Sequence, residues 1–488
     1  MLPFQTLLSV NKDLSTPVYH QVANGIISLI QDGTIRPGTF LPPSRAMAEM
    51  LLLHRKTIVA AYEELTAQDW VETIPRKGIM VARNLPELKP RSFKATTQVS
   101  PYKEKTAVFY QQIKAIKRVG NKNKAYRFVI NDGFPDSRIA PVDTLFRQYR
   151  YLLQRPSSDR QVMYGDPGGT LNLRIALTSF LSATRGLNID ASNLLITRGA
   201  QMAIYIAARM LVKPGSSVIV GEPNYGTANS IFEQCGAKLL KVPVDENGID
   251  VDAIEKLCRK KKPDMLYIIP HHHHPTTVTL SAARRMKLLS LIREYKLPVI
   301  EDDYDYDFHY ARSPILPLAS ADHGGYVIYI GSITKCFASA IRMGYLVASE
   351  EFVNNAAQLK RMIDIRGDVL LEESLAILFN NGDMQKHLKK SLKIYQQRRD
   401  LFCDLLENEF KGKLSFTKPS GGMSVWVQFD KRYELKQISE KASTQGLFMG
   451  DGSFYNTGKI NYNALRMGFA SLNEKEIQGA MGVLKKII

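Results

Sequence analysis

Short apolar runs that stop abruptly at a small or polar residue constrain this chain more than any other feature. NLLIT (193–197), SVIVG (217–221), MLYIIP (265–270), LPVIEDD (297–303) and YVIYIG (326–331) all end this way. Between them lie segments such as MAIYIAARML, with the apolar spacing of helices. Short apolar runs closed by turn residues read as buried strands. Their alternation with helices predicts an α/β unit with a mostly parallel sheet, beginning near residue 126. In such an open sheet, ligands bind beyond the carboxyl ends of the strands. The residues just after each run are therefore the ones to read.

After YVIYIG comes SITKCFASAIRMGYLVA, with Lys335 close to Ser332 and Thr334 and Arg342 seven residues on. A lone lysine there is able to form a Schiff base with a carbonyl; the alternative is a surface lysine on a loop. Arg198-Gly199-Ala200-Gln201 opens a helix, and small residues at a helix N-terminus let backbone N–H groups meet a phosphate. Tyr225 ends SVIVGEPNYG as an aromatic suited to stacking on a flat ring. LPVIEDDYDYDF presents Asp302, Asp303 and Tyr304, a cluster suited to a metal or to one cationic nitrogen. Arg466 sits among apolar residues in ALRMGFA, and a buried arginine needs an anion. His271 to His274 are consecutive, but neighbours in one loop point different ways and no Cys or acid completes a ligand set, so no metal is expected. A phosphate cradle, a stacking aromatic, a strand-end carboxylate, a lysine and an arginine are together what pyridoxal 5′-phosphate requires.

The chain has 488 residues, enough for several domains, and 44% hydrophobic composition, enough for a large core. It has no run long and apolar enough for a membrane span and no basic start followed by an apolar core, so neither membrane insertion nor secretion is expected. Cys235, Cys258, Cys336 and Cys403 lack disulfide or metal spacing, which suits a cytoplasmic location. The net charge of +18 points to an anionic partner, and its placement is uneven. Residues 1–82 carry seven basic and seven acidic residues, whereas 83–125 carry eleven against two, a net of +9. Residues 84–125, with Pro86, Pro90 and Pro101 and little apolar periodicity, read as a basic linker that either follows DNA phosphates or is merely solvated.

The first 83 residues read differently. Thr16-Pro17 predicts a helix start, with Thr16 as N-cap and Pro17 at the first helical position, and Val18, Val22, Ile26, Ile27 and Ile30 follow at helical spacing. A second helix starts near Ser44, a third follows His54-Arg55-Lys56-Thr57, and WVETIPRKGIMVA forms two short strands. That is a winged helix-turn-helix, which places His54, Arg55, Lys56 and Thr57 at the base edges of double-stranded DNA. Arg45, with Arg76 and Lys77 in the wing, would hold phosphates.

TPVYHQVANGIISLIQDGTIRPGTFLPPSR, HRKTIVAAYEEL and the RKG wing resemble the DNA-binding domain of GntR-type bacterial regulators. The resemblance implies DNA contacts from Arg45 and from Arg55 to Thr57, with His54 standing where a small N-cap residue is usual. Residues 126–488 resemble the fold-type I, class I/II aminotransferases, whose motifs recur here in the same order. By that resemblance Lys335 carries the cofactor and Asp302 pairs with its ring nitrogen. Tyr304 bonds the ring hydroxyl, Tyr225 stacks on the ring, and Gly199, Ala200, Ser332 and Arg342 hold the phosphate. Arg466 takes the carboxylate of an effector, and Tyr164 reaches the phosphate of a neighbouring subunit. Before Pro-Thr-Gly such enzymes usually carry Asn, whereas this chain has His274-Pro275-Thr276-Thr277, which argues against efficient turnover more than against binding the cofactor. The fusion resembles the MocR-type branch of the GntR regulators. That resemblance implies a head-to-tail homodimer sensing the cofactor and a small amine or amino acid, the alternative being a working aminotransferase with an accessory DNA-binding domain.

Overall fold

The computed structural model describes residues 2–11, 14, 16–85, 108–109, 125–155, 165–310, 315–457 and 460–488. The chain divides into two compact units, Met1–Gln112 and Ile113–Ile488.

In the first unit, helices Val18–Gln31, Ser44–Leu51 and Arg55–Ala67 precede a two-stranded wing. Strands β1 (Val71–Ile74) and β2 (Gly78–Val81) pair antiparallel, with Val71 opposite Val81. Val22, Ile26 and Ile30 line one face of the first helix and pack with Met47, Ile58, Leu65 and Trp70. The helix start falls one residue from the expected place. Pro17 itself occupies the N-cap, and no side chain caps the helix. At the third helix His54 does serve as N-cap, its imidazole Nδ1 accepting from the Lys56 N–H at 3.2 Å. An imidazole acceptor thus substitutes for the usual short hydroxyl or carboxamide. The Tyr62 hydroxyl donates to the Pro42 carbonyl at 2.8 Å and ties this helix to the turn before the second one.

The second unit is built on an eight-stranded sheet. Its strands are β4 (Leu194–Thr197), β5 (Ser217–Glu222), β6 (Lys238–Asp245), β7 (Gly248–Ile249), β8 (Met265–Ile268), β9 (Val299–Asp303), β10 (Val327–Ser332) and β11 (Gly344–Val347), in the order β4-β11-β10-β9-β8-β5-β6-β7. Pairings from β10 through β6 are parallel, while β11 runs antiparallel to both its neighbours. Side chains alternate between faces, as a strand requires. Val218, Val220, Met265, Tyr267, Ile300, Ile328 and Ile330 pack under helices Ala200–Leu211, Gly226–Gln234 and Glu350–Asp364. Ile219, Leu266, Ile268, Val299 and Val327 pack on the other face under Val251–Lys261 and Ala282–Tyr295.

Toward the C-terminus, β12 (Leu414–Phe416), β13 (Ser424–Phe429) and β15 (Ala464–Gly468) form an antiparallel sheet. A two-residue pair, β3 (Phe128–Val129) with β14 (Leu447–Phe448), anchors the start of this unit to that C-terminal region. The NDGFPD segment therefore runs directly from β3 past the end of β15. The Gly468 N–H donates to the Asn131 carbonyl at 2.7 Å.

Candidate functional site: a lysine, a carboxylate and an arginine at the strand ends

The alternation in β9 decides which of its acids faces which partner. Asp302 shares the face of Ile300 and meets Tyr267 of β8, whose hydroxyl donates to its Oδ2 at 2.7 Å. Asp303, one residue on, turns to the opposite face and accepts from Tyr329 at 2.9 Å, with His271 Nδ1 at 3.2 Å. Asp302 is buried, and its Oδ1 has no hydrogen-bond partner among the described residues. Burial pushes its carboxyl up to about 7; Asp303 and Asp305 add to the rise and the Tyr267 bond opposes it. A buried carboxylate with one oxygen unsatisfied fits a cationic N–H.

Lys335 lies in the short helix Ile333–Cys336 that follows β10. Its Nζ donates to the Gly133 carbonyl at 2.8 Å and sits 4.7 Å from the centre of the Phe134 ring. Burial lowers the ammonium to about 8, with Asp132 opposing and Arg466 adding to the shift. An amine near that value is partly neutral at physiological pH, the state a nucleophile needs. Arg466, on β15, is buried; its Nη2 donates to the Tyr304 hydroxyl at 2.9 Å, and its Nε and Nη1 have no hydrogen-bond partner among the described residues. The Tyr304 hydroxyl in turn donates to the His272 carbonyl at 2.9 Å. The Tyr225 ring lies edge-on to His274, centroids 5.1 Å apart.

The central antiparallel strand assembles an anion cradle. Gly344 of β11 is in register with Ser332 on one side and Thr197 on the other. Gly199 is the N-cap of Ala200–Leu211 at φ +83°, where a side chain is strained, and a Cβ there would lie 3.0 Å from Arg342 Nη2. A Cβ on Gly344 would meet the Ala200 nitrogen at 2.7 Å. Gly199, Ala200, Ser332 and Arg342 thus converge, with backbone N–H groups at a helix start and a guanidinium beside them. The four histidines each take a separate partner: His271 meets Asp303, His272 Asp305, His273 Thr276 and His274 Asp132. Tyr164 lies outside the described residues.

In the first unit, Arg45, His54, Arg55, Lys56, Arg76 and Lys77 are exposed and Thr57 is half-buried. Arg55 Nε donates to Ser44 Oγ at 3.3 Å, which brings the start of the third helix against the start of the second.

Residues 153–484 match the family model for aminotransferase class I and II. The chain belongs to that family. Residues 18–81 match the bacterial regulatory proteins of the gntR family, so this aminotransferase-family chain carries a GntR-type helix-turn-helix at its start. It is 27% identical to the uncharacterized HTH-type transcriptional regulator YdfD of Bacillus subtilis, covering 94% of each chain. It is 24% identical to the probable rhizopine catabolism regulatory protein MocR of Rhizobium meliloti, covering 98% of this chain and 95% of that one. Among solved structures, it resembles the alpha-aminoadipate aminotransferase LysN of Thermus thermophilus, complexed with N-(5'-phosphopyridoxyl)-L-leucine. That match has TM-score 0.68 and 25% identity, over 74% of this chain and 91% of that one.

Sequence reasoning missed three members of this aminotransferase-family site. Tyr267 is one, and only the strand register pairs it with Asp302. Asp132 and Tyr455 are the others. The Tyr455 hydroxyl donates to Asp132 Oδ1 at 2.9 Å, and His274 Nε2 stands 3.0 Å from Oδ2. The available signal was Asp132 itself, an acid directly before a glycine in an irregular loop, and the substituted His274 that faces it.

Proposed function

We propose that this protein is a DNA-binding transcription regulator whose aminotransferase-like unit reads pyridoxal 5′-phosphate and a small amine or amino acid. The observation that carries the reading is the unsatisfied Asp302 Oδ1 and the unsatisfied Arg466 donors flanking Lys335, in a chain that also exposes Arg55 and Lys56 at the start of the third helix of a helix-turn-helix. Residues 1–83 serve as the DNA-binding domain, 84–125 as a basic linker and 126–488 as the sensor.

The residues present fit the cofactor. Asp302 supplies the counter-charge to a protonated ring nitrogen, Tyr225 flanks the ring, and Gly199, Ala200, Ser332 and Arg342 receive the phosphate. Tyr304, held in place by His272 and Arg466, would bond the ring hydroxyl. Lys335 would supply the amine that holds the aldehyde. When bound, the cofactor supplies a carbonyl that exchanges amines and an electron sink. Arg466 takes the effector's carboxylate. In a homodimer, exposed apolar side chains such as Phe146, Tyr151, Leu171 and Ile175 would be open to the second copy. Tyr164 would reach across that dimer. No helix among the described residues is long and apolar enough to cross a membrane.

On DNA, Arg55, Lys56, Thr57 and His54 meet base edges, while Arg45, Arg76 and Lys77 hold phosphates. The test is operator binding by the full chain with and without cofactor and with a panel of amines. A shift in affinity that needs both cofactor and amine is expected. A full steady-state transamination rate with no effect on DNA binding would instead establish an enzyme.

A further inference from the structure

Arg466 does not face a wholly free site. Its Nε lies 3.4 Å from Asp132 Oδ1, and the two side chains differ in exposure, at 1% and 43%. Both oxygens of Asp132 are fixed, one by Tyr455 and one by His274, so the carboxylate is held beside the guanidinium rather than swinging freely. We propose that Asp132, positioned by His274 and Tyr455, is a specificity-determining residue that reserves the site for an amine ligand whose far end is neutral or cationic, and disfavours one with a second carboxylate. The inference deepens the sensing function proposed above and rests on it.

The charge balance carries the argument. Arg466 keeps Nη1 without a hydrogen-bond partner among the described residues, a buried donor open to one carboxylate, while its Nε lies 3.4 Å from Asp132. Its positive charge is already matched once by Asp132. Lys335 and Arg342, the other cations of the site, are committed to the aldehyde and the phosphate. Among these described residues, a second ligand carboxylate therefore finds no uncommitted cation and meets the Asp132 charge, whereas an ammonium is attracted by it. Burial would raise the Asp132 carboxyl, but the charge attraction and hydrogen bond of His274, with Arg466 and Lys335 nearby, hold it well below the usual carboxylate range, so it stays ionised. Burial lowers the His274 imidazole, and the charge and hydrogen bond of Asp132 oppose that shift. Solvent at the half-exposed Asp132 screens the repulsion, which sets the expected discrimination at about tenfold rather than thousandfold.

The experiment loads the full chain with pyridoxal 5′-phosphate and follows its near-visible absorption during titration with L-glutamine, L-glutamate and L-ornithine. Glutamate should bind about tenfold or more weakly than its isostere glutamine, and ornithine at least as tightly as glutamine. In Asp132→Asn the glutamate deficit should disappear. Equal or tighter binding of glutamate by the unmodified protein overturns the proposal, as does a deficit that persists in Asp132→Asn. Should that variant lose the cofactor, the comparison in the unmodified protein decides alone. If none of the three amines moves the band, the sensing function falls together with this inference; if all three move it without discrimination, only this inference falls.

Discussion

Replacing Asp302 with Asn should shift fold stability and cofactor affinity in opposite directions. The carboxyl is 3% exposed, and burial pushes it up to about 7. In the unfolded chain it titrates near its ordinary value of about 3.9. For an acid whose folded value is raised, the cost is absent below the unfolded value, grows as pH rises between the two, and is complete above the folded one. A gap of about three units corresponds to roughly 4 kcal/mol against the cofactor-free fold at pH 8. Asn keeps an acceptor for Tyr267 but adds an amide N–H without a partner, which costs about 1–3 kcal/mol. The cofactor-free variant should therefore be more stable by roughly 1–3 kcal/mol at pH 8, a rise of a few degrees in melting midpoint, with little or no gain at pH 5. Cofactor binding loses a buried counter-charge, about 3–5 kcal/mol, so Kd should rise by roughly a hundredfold to a few thousandfold. Melting midpoints at the two pH values and a cofactor titration measure both effects. A variant equally destabilised at both pH values, or one with unchanged affinity, would show that Asp302 is not an unpaired buried charge awaiting a cation.

Lys335→Ala should abolish the near-visible band of the loaded protein; a retained band would mean that another amine holds the aldehyde. Gly344→Ala places a Cβ 2.7 Å from the Ala200 nitrogen, so it should weaken cofactor or free phosphate binding by about tenfold or more, read by titration, through displacement of the helix start. Arg55→Ala or Lys56→Ala should remove operator binding in an electrophoretic or anisotropy assay while leaving the cofactor band unchanged. Bleaching of the band by either change would show that the two units are not independent.

Much of the site could be read from sequence because strand ends leave local marks. Lys335, Tyr225 and Gly199 stand where an apolar run ends or a helix begins, which neighbouring residues mark, and Arg466 shows as the one charge within an apolar strand. The same holds for the helix-turn-helix, whose Val22, Ile26 and Ile30 repeat at helical spacing and whose wing turns at Pro75–Gly78. The start at Pro17 fell one residue away because cap geometry, not propensity, sets the first helical residue.

By itself, then, the sequence determined the two classes of unit, their order, and the residue types that meet a phosphate, an aldehyde and a duplex. Tertiary structure alone decided which partners the two neighbouring acids meet, Tyr267 at Asp302 and Tyr329 with His271 at Asp303, because that depends on the strand register. It also brought Asp132, 142 residues away from His274 in sequence, to 3.0 Å from it. It set Asp132 against Arg466 as well. Charges act through space and not along the chain, so the sign of the field at the site appears only once the strands are paired.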